Sequence, residues 1–323
     1  MVISPSSIAF LFPGQGSQAV GMGKDLAEKY SAARQTFEEA DDALGYKLSQ
    51  LCFEGPEDLL RLTEKTQPAI LTASVAAWRV LDEKGIKASF AAGHSLGEYS
   101  AQVAAGTLGF ADAVRTVRNR GKYMQEAVPV GVGAMAAILG MDERKVVSVC
   151  RDATQESEAQ SEVCEPANIN SPEQIVISGH KPAVERAMKL ASDRGAKRVV
   201  LLPVSAPFHS SLMKPAQERL AADLRALTFA NPDVPVFCNV DAVPVETADQ
   251  ARDALIRQVT GSVKWEQSMR GLISNGVETF VELGPGKVLC GLMRQIDRST
   301  TCLNVADQAS LDKTLEKFSA VDA

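Results

Sequence analysis

Ser95 lies in Gly93-His94-Ser95-Leu96-Gly97, and a serine flanked by glycines at this spacing is the pattern of a nucleophile elbow. A short apolar run, Ser89–Ala92, precedes it and a helical stretch, Leu96–Ala105, follows, so the serine falls at a tight strand-to-helix turn. Glycine suits both flanks because a Cβ there meets neighbouring backbone. Free amides at the start of the helix can stabilise an oxyanion, which makes the implied chemistry acyl transfer through a serine ester. Such a serine needs a base, and the chain has three histidines. His94 adjoins the nucleophile and is aimed elsewhere by the turn, while His180 opens a helix in another region. His209, in Ala206-Pro207-Phe208-His209-Ser210, sits on a proline-containing loop and follows the nucleophile in chain order, as elbow enzymes require. Elimination selects His209. A helical pattern stops near Gln258-Val259-Thr260-Gly261, where a carbonyl without an internal partner can orient the imidazole in place of an aspartate. Arg120 shares a helical stripe with Val117 and Met124. An inward arginine is costly unless paired, and its planar fork matches a carboxylate, either an internal one or a substrate's.

Around these residues, short apolar runs alternate with longer helical patterns, which predicts an α/β fold with a mostly parallel sheet. Ile8–Phe12 reads as a buried strand ended by Pro13-Gly14. Leu26, Tyr30, Ala33, Phe37, Ala40 and Leu44 predict one helix, and Thr279–Leu283 a strand that Gly284-Pro285-Gly286 turns into a helix from near Lys287. The middle of the chain reads differently. A strand over Ala134–Leu139, a helix from Asp142 to about Thr154, and strands near Val163–Ile169 and Gln174–Ser178 come first, the latter two flanking a turn at Asn170-Ser171-Pro172. A helix carrying Val184, Met188 and Ala191 and a strand over Lys197–Val204 complete a βαββαβ order, the split ferredoxin-like unit. Residues 128–204 are thus expected to form a small ferredoxin-like subdomain inserted in a large catalytic domain of residues 1–127 and 205–323. Gln155–Glu165 reads as a polar loop.

The 323 residues are 45% hydrophobic and 23% charged with net charge −6, which disfavours binding to nucleic acid or to an anionic membrane surface. No stretch reaches the roughly 18 apolar residues of a membrane span. No Lys or Arg precedes Lys24, and the first apolar run is too short for a signal-peptide core, so a cytoplasmic location is expected. The six cysteines, Cys52, Cys150, Cys164, Cys238, Cys290 and Cys302, lack C-x-x-C or metal spacing and read as buried or idle thiols in a reducing compartment.

Phe12-Pro13-Gly14-Gln15-Gly16-Ser17-Gln18, Gly93-His94-Ser95-Leu96-Gly97-Glu98, Arg120-Gly121-Lys122, Phe208-His209 and Gly284-Pro285-Gly286 stand in one order. Together they resemble the malonyl-CoA:acyl carrier protein transacylases of fatty acid synthesis and the acyltransferase domains of polyketide synthases, from about Ile8 to Leu292. The resemblance implies an α/β-hydrolase-like core with a ferredoxin-like subdomain, in agreement with the pattern above. It implies that Ser95 takes the malonyl group and that His209 serves as base and then acid. The Gln258 backbone carbonyl would orient His209, and the backbone N–H groups of Gln15 and Leu96 would form the oxyanion hole. Arg120 would hold the malonyl carboxylate, and Phe208 looks like the malonyl-selecting form of its position. Asn168 and Gln174 fall loosely near the cleft. The implied partners are malonyl-CoA, with coenzyme A released, and acyl carrier protein, for which Arg294 and Arg298 could offer a basic patch. The chain would act as a monomer with no metal or redox cofactor. A serine thioesterase or hydrolase shares the elbow and differs in its final acceptor. Gly14-x-Gly16-x-x-Ala19 also fits a dinucleotide fingerprint, but the acidic ribose ligand it needs falls at Glu38–Glu39, inside a helix. A silent carrier-protein binder is at odds with an intact Ser95 and His209.

Overall fold

Ile8–Phe12 is buried at every position, as a strand covered on both faces must be, and forms β1. Its side chains alternate: Ile8, Phe10 and Phe12 join one apolar cluster and Ala9 and Leu11 the cluster on the opposite face. In the computed structural model, which describes residues 8–155, 162–204 and 206–319, ten strands build two sheets. The strands after β1 are β2 (Phe90–Gly93), β3 (Gly133–Leu139), β4 (Cys164–Ser171), β5 (Gln174–His180), β6 (Arg198–Leu201), β7 (Val236–Phe237), β8 (Pro244–Val245), β9 (Thr279–Leu283) and β10 (Thr301–Val305). The larger sheet runs β10-β9-β1-β2-β7-β8 and is parallel except for its last pair.

The second sheet, β4-β5-β3-β6, is antiparallel throughout, in the strand order of the split βαββαβ unit. Two helices, Glu143–Gln155 and Lys181–Asp193, cover one face of it. The alternation along β3 divides its labour. Ala134, Ala136 and Ile138 enter the core under those helices, whereas Met135 and Ala137 face the larger sheet's side. The two parts are stitched by backbone bonds between Val263 and β4 (Val263 N to Ala167 O, 2.8 Å; Ile169 N to Val263 O, 2.9 Å) and by Ser171 Oγ donating to Gln295 at 2.7 Å.

Several expectations change in detail. The single helix expected from Leu26 to Leu44 is two, Lys24–Lys29 and Ser31–Leu44, because Tyr30 between them is extended (φ −118°, ψ 128°). Asn170 and Ser171 belong to β4, and the turn is Pro172-Glu173. The polar loop at 155–165 lies partly outside the described residues, as do residues 1–7, 205 and 320–323 at the expected domain limits. The cysteines are not six idle thiols. Cys290, in the first turn of the helix Val288–Ile296, is disulfide-bonded to Cys302 of β10, with Cα atoms 5.4 Å apart, and the other four are buried and free. A sequence separation of 12 gives no sign of this contact, which the packing of that helix on β10 creates. Among the described residues no helix is long and apolar enough to cross a membrane.

Candidate active site

The chain reverses sharply between β2 and the helix Gly97–Ala104, and Ser95 at the apex takes a left-handed backbone, φ 51°. A side chain other than serine's neighbours, the glycines, is sterically barred on either side. A Cβ on Gly93 would lie 1.9 Å from the Gly97 carbonyl carbon, and one on Gly97 would lie 2.0 Å from the Phe12 carbonyl oxygen. The turn is clamped by Asn239, whose Oδ1 accepts from Ser95 N and whose Nδ2 donates to Gly93 O, each at 2.7 Å. Leu96 immediately precedes the helix, whose first amides, those of Gly97, Glu98 and Tyr99, already donate to the carbonyls of His94, Ser95 and Leu96 at 2.9, 3.1 and 3.0 Å. Gln15 follows the end of β1 and lines the same cavity as Ser95 and Leu96.

His209, also left-handed at φ 56° and buried, places Nε2 2.7 Å from Ser95 Oγ. Its Nδ1 faces two carbonyls, Gln258 at 2.9 Å and Gly261 at 3.2 Å. Two acceptors on that side fix the tautomer: Nδ1 carries the proton, and Nε2 accepts from the serine hydroxyl. Burial first, and the charge of Arg120 second, push the imidazole down to about 3.

Arg120, on the helix Phe110–Glu126, is buried with only neutral hydrogen-bond partners. It donates to Gln67 Oε1 (2.8 Å), Gln258 Oε1 (2.9 Å) and Ser95 Oγ (3.2 Å), and its Nε has no partner among the described residues. The Tyr99 ring adds a weak cation–π contact at 5.6 Å. Burial lowers the pKa of the guanidinium, and Tyr99 and Glu98 offset part of that effect.

These residues open onto a cavity of about 310 Å³ between the two sheets. Met135, Val176, Asn168 and Gln174 form the wall on the antiparallel sheet, and the half-buried Phe208 closes the side next to His209. Arg294 and Arg298 are exposed, Arg294 on the helix whose Val288 and Leu292 also line the cavity. The remaining histidines are structural in their contacts. His94 Nε2 bonds Asn170 Oδ1 at 2.7 Å and its ring packs on Trp265, while His180 Nδ1 accepts from Val163 N at 3.0 Å.

Four participants carried no assigned role in the sequence reading: Gln67, Glu98, Asn239 and the side chain of Gln258. Glu98 directly follows the elbow pentapeptide and is fully buried. Its Oε2 accepts from Asn239 N (3.0 Å) and Gln258 Nε2 (2.8 Å). Asn239 follows a two-residue strand and had no motif to mark it.

The acyl transferase domain family model matches residues 9–314. The malonyl CoA-acyl carrier protein transacylase of Escherichia coli (strain K12) is 50% identical over 312 residues, 96% of this chain and 99% of the relative. A solved acyl carrier protein S-malonyltransferase from Vibrio cholerae matches with TM-score 0.92 at 48% identity, covering 95% of this chain and 99% of that one. A malonyl-transacylase solved in complex with the holo form of its type II polyketide acyl-carrier protein matches with TM-score 0.92 at 46% identity, over 96% and 99% of the two chains.

Proposed function

The chain belongs to the acyl transferase domain family, and from that footing we propose that it carries a malonyl group from malonyl-CoA to the phosphopantetheine thiol of acyl carrier protein, supplying fatty acid synthesis. The observation that carries the malonyl part is Arg120: a buried cation with neutral partners, 3.2 Å from the candidate nucleophile. In a malonyl thioester one methylene separates the reacting carbonyl from the carboxylate, a span of about 2.5 Å for two C–C bonds. A guanidinium beside the serine is therefore at the right reach, and it offers a two-point grip.

In the proposed cycle His209 Nε2 takes the Ser95 hydroxyl proton as Oγ attacks the thioester carbonyl. The backbone N–H groups of Gln15 and Leu96 hold the oxyanion. The imidazolium, its Nδ1–H on the carbonyls of Gln258 and Gly261, returns the proton to the departing coenzyme A sulfur. Malonyl-Ser95 then meets the carrier's thiol, which gives its proton to His209 and attacks the ester, and Ser95 leaves with the proton restored. Each bond and proton is accounted for by these residues and two thiols, so the cycle calls for no metal or redox cofactor. A malonyl carboxylate on Arg120 also offsets one of the influences that depress His209, so the correct acyl group strengthens its own base. Phe208 excludes an α-methyl branch by filling the space beside His209.

The docked carrier of the polyketide relative favours a second reading, a polyketide carrier as acceptor, and exposed Arg294, on the helix whose Val288 and Leu292 line the cavity, suits an acidic carrier of either kind. The chain acts as a monomer in this proposal. A cytoplasmic setting belongs to the same proposal; Cys150 and Cys164 are free, with sulfurs 3.7 Å apart, and Cys290 and Cys302 are bonded.

The test is intact-mass analysis after mixing with malonyl-CoA. The expected result is a gain of one malonyl group, absent in Ser95→Ala, that persists for minutes and discharges onto holo carrier protein. Rapid loss to water with no carrier present would assign a hydrolase instead.

A further inference from the structure

We propose that Glu98 is a positioning residue for acyl selection: through the side-chain amide of Gln258 it fixes the Arg120 guanidinium over Ser95, and so sets the preference for an acyl group ending in a carboxylate. The inference rests on the malonyl-transfer reading and concerns a residue to which that cycle gives no step.

Glu98 and Arg120 are buried opposite charges separated by one amide. Gln258 Nε2 donates to the Glu98 carboxylate (2.8 Å) and to Ser95 O (2.8 Å), while its Oε1 accepts from Arg120 Nη2 (2.9 Å). A carboxylate and a carbonyl only accept, and a guanidinium only donates, so this amide has a single satisfied orientation. The same residue's backbone carbonyl receives His209 Nδ1–H, which ties nucleophile, base and cation to one side chain and its main chain. Had Glu98 touched Arg120 directly it would have claimed the fork meant for substrate. At one remove it compensates the cation while leaving it free to bind. Burial raises the carboxyl to about 7, with Oε1 unpartnered among the described residues and Tyr99 and Cys238 nearby, while Asn239 N, the Gln258 amide, Arg120 and Arg257 favour its ionised form.

The experiment is a double-mutant cycle read as the malonyl-CoA to acetyl-CoA ratio of kcat/KM. It uses the parent, Glu98→Gln, Arg120→Ala and the double variant, in mildly alkaline buffer, each checked by thermal melt. A neutral acceptor holds the Gln258 amide by a bond roughly half as strong, so Glu98→Gln should lower the ratio about three- to tenfold. In the Arg120→Ala background it should not change the ratio, because the path from Glu98 to the acyl group is gone. An equal fall for both thioesters, or the same ratio change in both backgrounds, overturns the proposal and leaves Glu98 a support of the fold. The Arg120→Ala arm separates the two failures: an unchanged ratio there strikes the malonyl reading itself. Where Glu98→Gln does not melt cooperatively, Glu98→Asp replaces it in the cycle. Its charge is kept but set back by one methylene, and the same loss of ratio is expected.

Discussion

At Arg120, two glutamine oxygens and a hydroxyl stand where a buried arginine ordinarily finds a carboxylate. On the proposed reading Arg120→Ala removes a charge-assisted pair that forms only when malonyl is present, for which about 1.5–3 kcal/mol is the ordinary expectation. That corresponds to roughly 10- to 150-fold in kcat/KM with malonyl-CoA. Acetyl-CoA brings no carboxylate, so the acetyl to malonyl ratio should rise even as absolute rates fall. Steady-state kinetics with both thioesters check this, and an equal loss for both would make Arg120 structural. The residues legible in the sequence were those whose signal is local: an elbow pentapeptide, one histidine of three, and an arginine whose helical stripe could be counted. Gln67 and Asn239 were not legible. Their roles depend on contacts 53 and 144 positions away in the chain, which no spacing encodes.

The strand–elbow–helix element holds a strained serine by steric exclusion and two side-chain hydrogen bonds, so its tolerance is narrow. Gly97→Ala would drive a methyl to 2.0 Å from the carbonyl oxygen at the end of β1, a backbone atom that no rotamer change can move. We expect a loss of about 3 kcal/mol or more, at the upper end of overpacking costs. Urea titration measures it, and activity should fall further than stability because the Ser95–His209 distance depends on this contact. An unchanged midpoint would show that the elbow can relax. At this scale the sequence was informative wherever a periodic run was long enough to count. β1, β2, β9, the helix after the elbow and the βαββαβ succession were found nearly as they stand. β7 and β8, two residues each, leave no period to read. Tyr30 carried the helical period of its neighbours and yet breaks the helix.

For the molecule as a whole, two buried groups at the junction of the sheets pull stability in opposite directions with pH. His209 is held at about 3, below its ordinary 6.5, so the unfolded chain takes up the proton first and stability is lost as pH falls from 6.5 toward 3. Glu98 is held at about 7, above its ordinary 4.5, so the folded protein keeps the proton longer and stability is lost as pH rises from 4.5 to 7. Between 4.5 and 6.5 the two slopes oppose. Melting temperature against pH should show His209→Gln gaining on the parent as pH falls below 6.5, and Glu98→Gln gaining as pH rises from 4.5 to 7. Curves parallel to the parent's would mean that neither group is shifted. The α/β class and the insertion of a second sheet were legible from the order of elements alone. The cavity between the sheets was not, because it arises from contacts such as Val263 on β4 that join distant segments. The wall that β3 and β5 contribute, Met135, Ala137 and Val176, stands on a sheet with its own core, and none of the atoms proposed to exchange a bond belongs to it. Mutations can accumulate there without disarming the nucleophile. Descendants of such a chain are free to reshape that wall, while the proposed grip on the acyl carboxylate and the machinery of turnover stay together on the other stretches of the gene.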